Sequence, residues 1–124
     1  MHYTLETTKV VNAIVPAVRA AGTVNGAAQD TVAYDEANWI LQTGAIDAGI
    51  TDVHVAIEES DDGSTGWTAI GSASSVVIDG DDDNAIPTIG IRLGGRAAGA
   101  RKRYQRPVLT IAGTGNAMLF TWWQ

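Results

Sequence analysis

Between Asp52 and Glu59 the sequence alternates strictly between large apolar side chains and polar or small ones. The apolar positions are Val53, Val55 and Ile57, and the positions between them are His54, Ala56 and Glu58. Because successive side chains of a β-strand point to opposite faces, this period of two predicts a strand with one buried face. The other face is expected to meet solvent or a contact between small residues.

The stretch that follows, IEESDDGSTGW at positions 57–67, combines four carboxylates with two glycines. Asp62 and Gly63 directly after a β-alternating run are a strong hairpin signal, because glycine supplies the positive φ of a tight turn and aspartate tolerates it. We therefore interpret the stretch as a turn, with Trp67 opening the return strand.

Other short runs predict further strands. Residues Ala37–Thr43 carry apolar side chains on both faces, which is typical of a central strand. The remaining predicted strands are Trp67–Ile70, Ser75–Ile78, Thr88–Leu93, Tyr104–Ala112 and Ala117–Trp123. The last two are separated by GTGNA at Gly113–Ala117, which is interpreted as a hairpin turn. Short strands at this spacing, with 14 glycines, predict an all-β fold, an antiparallel β-sandwich or barrel.

The segment Lys9–Gly22 is ambiguous, since its valines and Ile14 would also form a helical stripe. Pro16 lies in its middle. A proline inside a helix removes a hydrogen bond and collides with the preceding turn, at a cost of about 3 kcal/mol. We therefore predict an extended edge segment that is interrupted at the proline.

The chain of 124 residues is expected to form a single domain over residues 1–124, with residues 1–8 as a flexible N-terminal arm. It has no cysteine, which excludes disulfides and thiolate metal sites. No unbroken apolar run is long enough to span a bilayer, and the N-terminus lacks the pattern of a signal peptide. These features predict a soluble globular protein without a membrane partner.

Charge is unevenly distributed along the chain. The net charge is −6, which argues against a nucleic-acid partner, because neutralising phosphates requires a positive field. Most of the cationic residues nevertheless fall in one late stretch that includes RKRYQR at positions 101–106, whereas the middle of the chain is acidic. A surface with both signs of charge suits contact with protein partners.

The sequence gives less support to a metal site or a catalytic site at the acidic residues than to a turn. Counted from Asp61, an EF-type calcium loop fails at most ligand positions, whereas the run Asp79–Asp83 matches three and leaves calcium open there. Glu58 and Glu59 are expected on opposite faces of one strand, so they cannot act as a carboxylate pair. No nucleophile or metal-ligand pattern surrounds His54. We predict that the protein is not an enzyme and uses no cofactor and no metal.

Two longer stretches carry a resemblance to a known family. The order VHVAIEESDDGSTGWTAI, a spacer, RKRYQRPVLTIAGTG and a final apolar strand resembles capsid decoration or cement proteins of tailed bacteriophages. The similarity covers about residues 30–121. It implies a jelly-roll-like β-sandwich, a place on the outer surface of the virion capsid, many copies per particle, and the major capsid protein as partner. Pro107, the loop LGGRAAGARK and the ending TWWQ depart from the pattern.

The final strand provides a physical argument for partners. Within MLFTWW, Trp122 and Trp123 must face opposite sides of a strand, and one core cannot easily take both. If Trp122 is inside, then Trp123 and Leu119 remain outside, where a second copy in a dimer or trimer would cover them. The alternative is cover by a loop or by the N-terminal segment of the same chain.

The basic stretch supplies a second candidate contact region. Arginine forks bind carboxylates in a bidentate manner, and a capsid surface should expose many. The candidate partner-binding residues are therefore Trp123, Leu119, Arg101, Lys102, Arg103, Tyr104 and Arg106. Two other functions remain open: a carbohydrate-binding or receptor-binding sandwich, for which Trp67 is the obvious aromatic beside a turn, and a tail, neck or head-fibre component of the virion.

Overall fold

A computed structural model describes residues 11–32, 36–74, 88–92 and 101–123. These residues form seven strands and no helix. The strands are β1 (Val11–Asn25), β2 (Gln29–Asp30), β3 (Glu36–Ile46), β4 (Ile50–Ser60), β5 (Thr68–Ser74), β6 (Thr88–Arg92) and β7 (Tyr104–Trp123). All of the pairings between them are antiparallel. The predicted all-β class is confirmed.

The centre of the sheet is β7, which is long enough to take two partners on each edge. On one edge its first half pairs with β4 and its second half with β3. On the other edge it pairs with β1 along most of its length and with β2 at its start. The order β5-β4-β7-β3-β6 follows, because β5 and β6 add to the outer edges of β4 and β3.

The predicted hairpin at Gly113–Ala117 is wrong, because β7 continues through it as one strand of 20 residues. The amide of Thr114 donates to the carbonyl of Gly49, and the amide of Asp47 donates to the carbonyl of Asn116. The glycines of this segment are therefore used for close approach to the β3–β4 turn. A Cβ at Gly113 would lie 2.3 Å from the Gly49 carbonyl oxygen, and the φ of Gly113 is 107°.

The sheet is bent at this same level. Trp39 is the register partner of Trp123, yet its indole Nε1 donates a 3.0 Å hydrogen bond to Oε1 of Gln105, near the start of β7. At about 3.3 Å per residue, Gln105 and Trp123 would lie roughly 60 Å apart if β7 were straight. The strand β1 bends in the same way, since the amide of Ala27 donates to the carbonyl of Ala13 at 2.9 Å. The two ends of the sheet thus contact each other.

The strand predictions are otherwise largely confirmed. Ala37–Thr43 lies inside β3, between β7 and β6, and Asp52–Glu59 lies inside β4. The return strand after the turn begins at Thr68. The predicted strand Ser75–Ile78, Leu93 and the N-terminal arm lie outside the described residues.

The extended interpretation of Lys9–Gly22 is confirmed from Val11 onwards. Residues Val11–Asn25 form β1, and the register with β7 shifts between Ile14 and Ala17, on either side of Pro16. A proline donates no hydrogen bond to a strand ladder, so an irregularity at this point is expected.

A single apolar cluster holds the two ends together. Its fully buried members include Trp39, Leu41, Val53, Val55, Ile57 and Leu109. Val53, Val55 and Ile57 are the apolar positions of the alternation in β4, and each has no exposed surface. Within the described part of the chain, no helix has the length and apolar character needed to cross a membrane.

Candidate partner-binding surface

The basic segment, Arg101–Arg106, lies at one end of the sheet and runs into β7, which begins at Tyr104. The end of β4 flanks it on one side, with Glu58 opposite Arg106 and Ser60 opposite Tyr104. On the other side β2 places Asp30 opposite Tyr104. Antiparallel pairing therefore brings carboxylates from two strands against the basic segment.

Arg106 is the most enclosed cation of this segment. Its Nε and Nη2 donate to Oε2 of Glu58 at 2.9 and 2.7 Å, and both side chains are only about a quarter exposed. The guanidinium also lies over the ring of Trp67, 4.3 Å from its centroid. Ion pairing and cation–π contact together fix Arg106 between β4 and the start of β5.

Arg103 is held by β2. Its Nε and Nη2 donate to the two carboxylate oxygens of Asp30 at 3.0 and 2.7 Å, in the bidentate geometry that arginine favours. These hydrogen bonds, and the negative charge of Asp30, raise the pKa of Arg103. The same guanidinium lies 5.2 Å from the ring centroid of Tyr104.

Glu59 anchors the two remaining cations of the segment. Its side chain is buried, and Oε2 accepts a 2.9 Å hydrogen bond from the backbone amide of Lys102. The same oxygen lies 3.7 Å from Nε of Arg101, and the ammonium of Lys102 lies 3.7 Å from Asp61. Glu58 and Glu59 thus engage different cations, as expected for adjacent residues on opposite faces of a strand.

The basic segment is consequently a surface of mixed charge. Each of Arg101, Lys102, Arg103 and Arg106 has a carboxylate of its own chain within ion-pair distance. A partner that offers carboxylates must compete with these internal pairs, and exposed pairs contribute little net free energy. Contact of this segment with a partner stays a prediction.

Within IEESDDGSTGW, residues 61–66 form the predicted turn after β4, and Asp62 organises it. One oxygen of Asp62 accepts from the amides of Ser64 and Thr65 at 2.8 Å, and the other accepts from the hydroxyl of Thr65 at 2.8 Å. The hydroxyl of Ser60 adds a further hydrogen bond at 3.0 Å. These donors, led by the amide of Thr65, hold the pKa of Asp62 well below its usual range.

The turn also packs on the basic segment. Gly63 has a φ of 76°, and a Cβ placed there would lie 3.0 Å from Cδ1 of Tyr104. A larger residue at position 63 would therefore be strained twice, by its backbone angle and by the Tyr104 ring. The carboxylate-rich turn is part of the same surface as the basic segment.

Leu119 and Trp123 lie in the last part of β7, away from the basic segment along the strand. Their backbones pair with Thr43 and Trp39 of β3. Their side chains lie outside what the structure describes, so cover of Trp123 and Leu119 by a second copy stays a prediction.

The ring Nδ1 of His54 lies 2.7 Å from Oδ1 of Asp52, and both side chains are partly exposed. Among the described residues, no group of three or more histidine and acidic side chains could hold a metal ion. The run Asp79–Asp83 lies outside those residues, so calcium at that position is untested.

Sequence reasoning missed the internal partners of the cations. Asp30 is 73 positions from Arg103, and no local pattern connects the two. Glu58 could be placed on the outer face by its alternation, but its pairing with Arg106 requires the β4–β7 register. Val15 and Val18 lie in the extended segment that the sequence predicts, but the local pattern does not indicate their exposure, which is 69% and 65%.

Comparison of the chain with protein-family models, with curated proteins and with solved structures gave no match in any of the three.

Proposed function

We propose that this protein is a structural component of a tailed-bacteriophage virion, a capsid decoration or cement protein. It binds the major capsid protein on the outer surface of the head shell in many copies and stabilises the shell through non-covalent contacts. In this proposal the chain acts as a binding module and associates with itself, and it carries out no reaction and needs no cofactor.

The observation that supports this proposal best is the meeting of the two stretches that carry the family resemblance. The stretch VHVAIEESDDGSTGWTAI contains β4, the turn and the start of β5, and RKRYQRPVLTIAGTG contains the basic segment and the first half of β7. They pair from Val53, opposite Ile111, to Ser60, opposite Tyr104, and the ion pair between Glu58 and Arg106 joins them. The two stretches therefore form one surface, although 30 residues separate them in the chain.

The proposed fold is a two-layer, jelly-roll-like β-sandwich. Two hydrogen bonds support this fold, one between Trp39 and Gln105 and one between Ala27 and Ala13. Each of them joins parts of the sheet that lie far apart along a strand. A bent sheet whose inner face carries one apolar cluster has the layered organisation of such folds.

Capsid binding is assigned to the basic segment and the turn beside it. The internal ion pairs place its guanidinium groups in fixed positions, so binding does not require ordering of flexible arginines. Partner carboxylates can then share or replace Glu59 at Arg101, where the internal distance is 3.7 Å. The contribution of each contact is small, and many copies on the shell supply the total stabilisation.

The first test is the number of copies per particle. Densitometry of gels of virions purified from the phage that encodes this chain should give a copy number comparable to that of the major capsid protein. A handful of copies would favour the tail, neck or head-fibre alternative, and complete absence from virions would reject a virion role.

The second test measures attachment to capsids that lack the protein, by co-sedimentation. We expect Arg101→Ala to weaken attachment several-fold without a change in the circular dichroism spectrum. Arg92→Ala is the matched control, because Arg92 is also an arginine but lies in β6, outside the basic segment. Equal attachment by the wild type and Arg101→Ala, or an equal loss in both variants, would contradict the assigned surface.

A carbohydrate-binding or receptor-binding module is the second candidate function. The observation that favours it is the position of Trp67, half-buried beside the turn and close to Arg106. Arg106 already lies over the Trp67 ring, so a sugar would have to use its other face. A specific signal on a glycan array that Trp67→Ala abolishes would support this candidate over the capsid protein.

A further inference from the structure

The outer edge of β1 is open in the described part of the structure. β1 pairs with β7 over its length, and the described residues contribute no second strand to its other edge. An unpaired edge presents a row of amide and carbonyl groups that can accept another strand. Natural proteins usually block such edges with prolines, bulges or charged side chains.

The first part of this edge is blocked. The carbonyl of Ala13 accepts from Ala27, and the carbonyl of Val15 accepts from the Arg19 guanidinium at 3.1 Å. Pro16 has no amide to offer, and the register with β7 shifts around it. Pairing with a new strand is therefore confined to Ala17–Asn25, which we call the open edge.

The open edge is almost free of charge and partly apolar. Its sequence is AVRAAGTVN, in which Arg19 is the one charged residue. Val18 is 65% exposed, and Ala20, Ala21 and Thr23 are also exposed. In a chain with a net charge of −6, this edge without carboxylates is where two copies can approach with little electrostatic repulsion.

The shape of the open edge decides which strand fits. The register of β1 on β7 shifts between Ala20 and Gly22, where the sheet bends, so a straight strand cannot follow the whole edge. Consider a two-fold axis that is perpendicular to the sheet and passes through the bend. This axis places β1 of a second copy beside the open edge, antiparallel to β1 of the first copy and bent at the same position. A second copy of β1 is thus matched to the edge by symmetry.

We propose that two copies of the chain pair edge to edge through β1, antiparallel and centred on Ala21. In this arrangement Ala21 lies opposite Ala21 of the second copy, Val18 opposite Val24 and Arg19 opposite Thr23. No two like charges face each other, and Val18 loses its exposure to solvent. The dimer continues the sheet from one molecule into the next.

This dimer rests on the self-association part of the proposed function, but its test uses the purified protein alone. Failure of capsid attachment and failure of dimer formation are therefore separate results. Sedimentation-velocity ultracentrifugation over a concentration series should give a species of twice the chain mass of 13.0 kDa. A wild type that stays monomeric throughout would overturn the proposal.

A pair of charge variants tests the position of the axis. Ala21 is exposed, so Ala21→Glu and Ala21→Lys should fold normally. Each variant alone places two like charges against each other, and we expect dimerisation at least about tenfold weaker than in the wild type. An equimolar mixture of the two variants places unlike charges together and should dimerise again.

Every other outcome opposes the proposed axis. Either variant dimerising as the wild type does, or the mixture remaining monomeric, would overturn it. Val32→Glu is the matched control, because Val32 is another exposed valine, 54% accessible, outside β1; it should dimerise normally. In the wild type, amide hydrogen exchange of the open edge should slow as the protein concentration rises, and no change in exchange would also overturn the proposal.

Discussion

The strands β4 and β1 both pair antiparallel with β7, but their other sides differ. β4 is covered by β5, buries Val53, Val55 and Ile57 completely, and carries Glu58 and Glu59 in contact with the basic segment. β1 has no second strand partner among the described residues and exposes Val15 and Val18. Its single charged side chain, Arg19, reaches back to the carbonyl of Val15.

This difference indicates a division of roles between the two sides of β7. The side of β4 fixes the fold, because its apolar face and its ion pairs are satisfied within the chain. The side of β1 has apolar side chains and backbone groups that a second molecule can satisfy. Substitutions on the two sides should therefore act on different properties, stability in one case and association in the other.

The largest expected difference comes from the same substitution on each side. Val55→Ala removes two methyl groups from a fully buried position in β4 and should lower the free energy of unfolding by about 2 kcal/mol. Val18→Ala removes two methyl groups from an exposed position in β1 and should change the free energy of unfolding by less than about 0.5 kcal/mol.

Urea unfolding, followed by tryptophan fluorescence under conditions where the protein is monomeric, measures both values. Equal losses in the two variants would show that β1 is as deeply enclosed as β4 and would remove the contrast between the two sides.

An intermediate effect is expected within the basic segment. Arg106→Ala breaks the pair with Glu58 and the contact with Trp67 in a half-buried setting, and should cost about 1–2 kcal/mol of stability. Arg103→Ala breaks a bidentate pair with Asp30, but both side chains are more exposed, so its effect should be smaller.

Chemical unfolding of both variants, together with Glu58→Ala and the double variant with Arg106→Ala, gives the coupling between Glu58 and Arg106. A coupling near zero would mean that this pair does not help to join β4 to β7.

The smallest effect concerns the turn that joins β4 to β5. Because folding lowers the pKa of Asp62 from its ordinary 3.8, the unfolded chain binds the proton more tightly than the folded one. The contribution of the Asp62 carboxylate to stability is therefore complete above pH 3.8 and is lost as the pH falls below that value.

Unfolding measured from neutral pH down to about pH 3 should show a steeper loss of stability for the wild type than for Asp62→Ala. Ser64→Ala is a suitable control, because Ser64 donates to Asp62 through its backbone amide and keeps that bond. Parallel pH profiles for the wild type and Asp62→Ala would contradict the role given to this carboxylate.

Local patterns predicted much of the secondary structure. The alternation in β4, the turn after Asp62 and the interruption at Pro16 each depend on neighbouring residues, and each is present where expected. The prediction of a hairpin at Gly113–Ala117 was wrong because glycines occur both in turns and where two backbones approach closely. The approach of the β3–β4 turn, which is distant in sequence, decides between those uses.

The sequence locates the cations of the basic segment but not the carboxylates that pair with them. The run RKRYQR indicates a concentration of cations, and that much can be read directly from the sequence. Their carboxylate partners come from β2, β4 and the turn, and they lie between 41 and 73 positions away in the sequence. Long-range pairing of this kind depends on strand register, which a single sequence does not provide.

By itself, the sequence determined that the chain forms strands, where most of them run, and that its charges are segregated, because these properties depend on side-chain periodicity, turn chemistry and composition. Only the tertiary structure decided that β7 is one bent strand shared by four partners, that the cations of the basic segment are paired within the chain, and that no second strand among the described residues covers the outer edge of β1. The physical reason is that strand pairing joins backbone groups without regard to their distance along the chain, so register and edges belong to the assembled sheet.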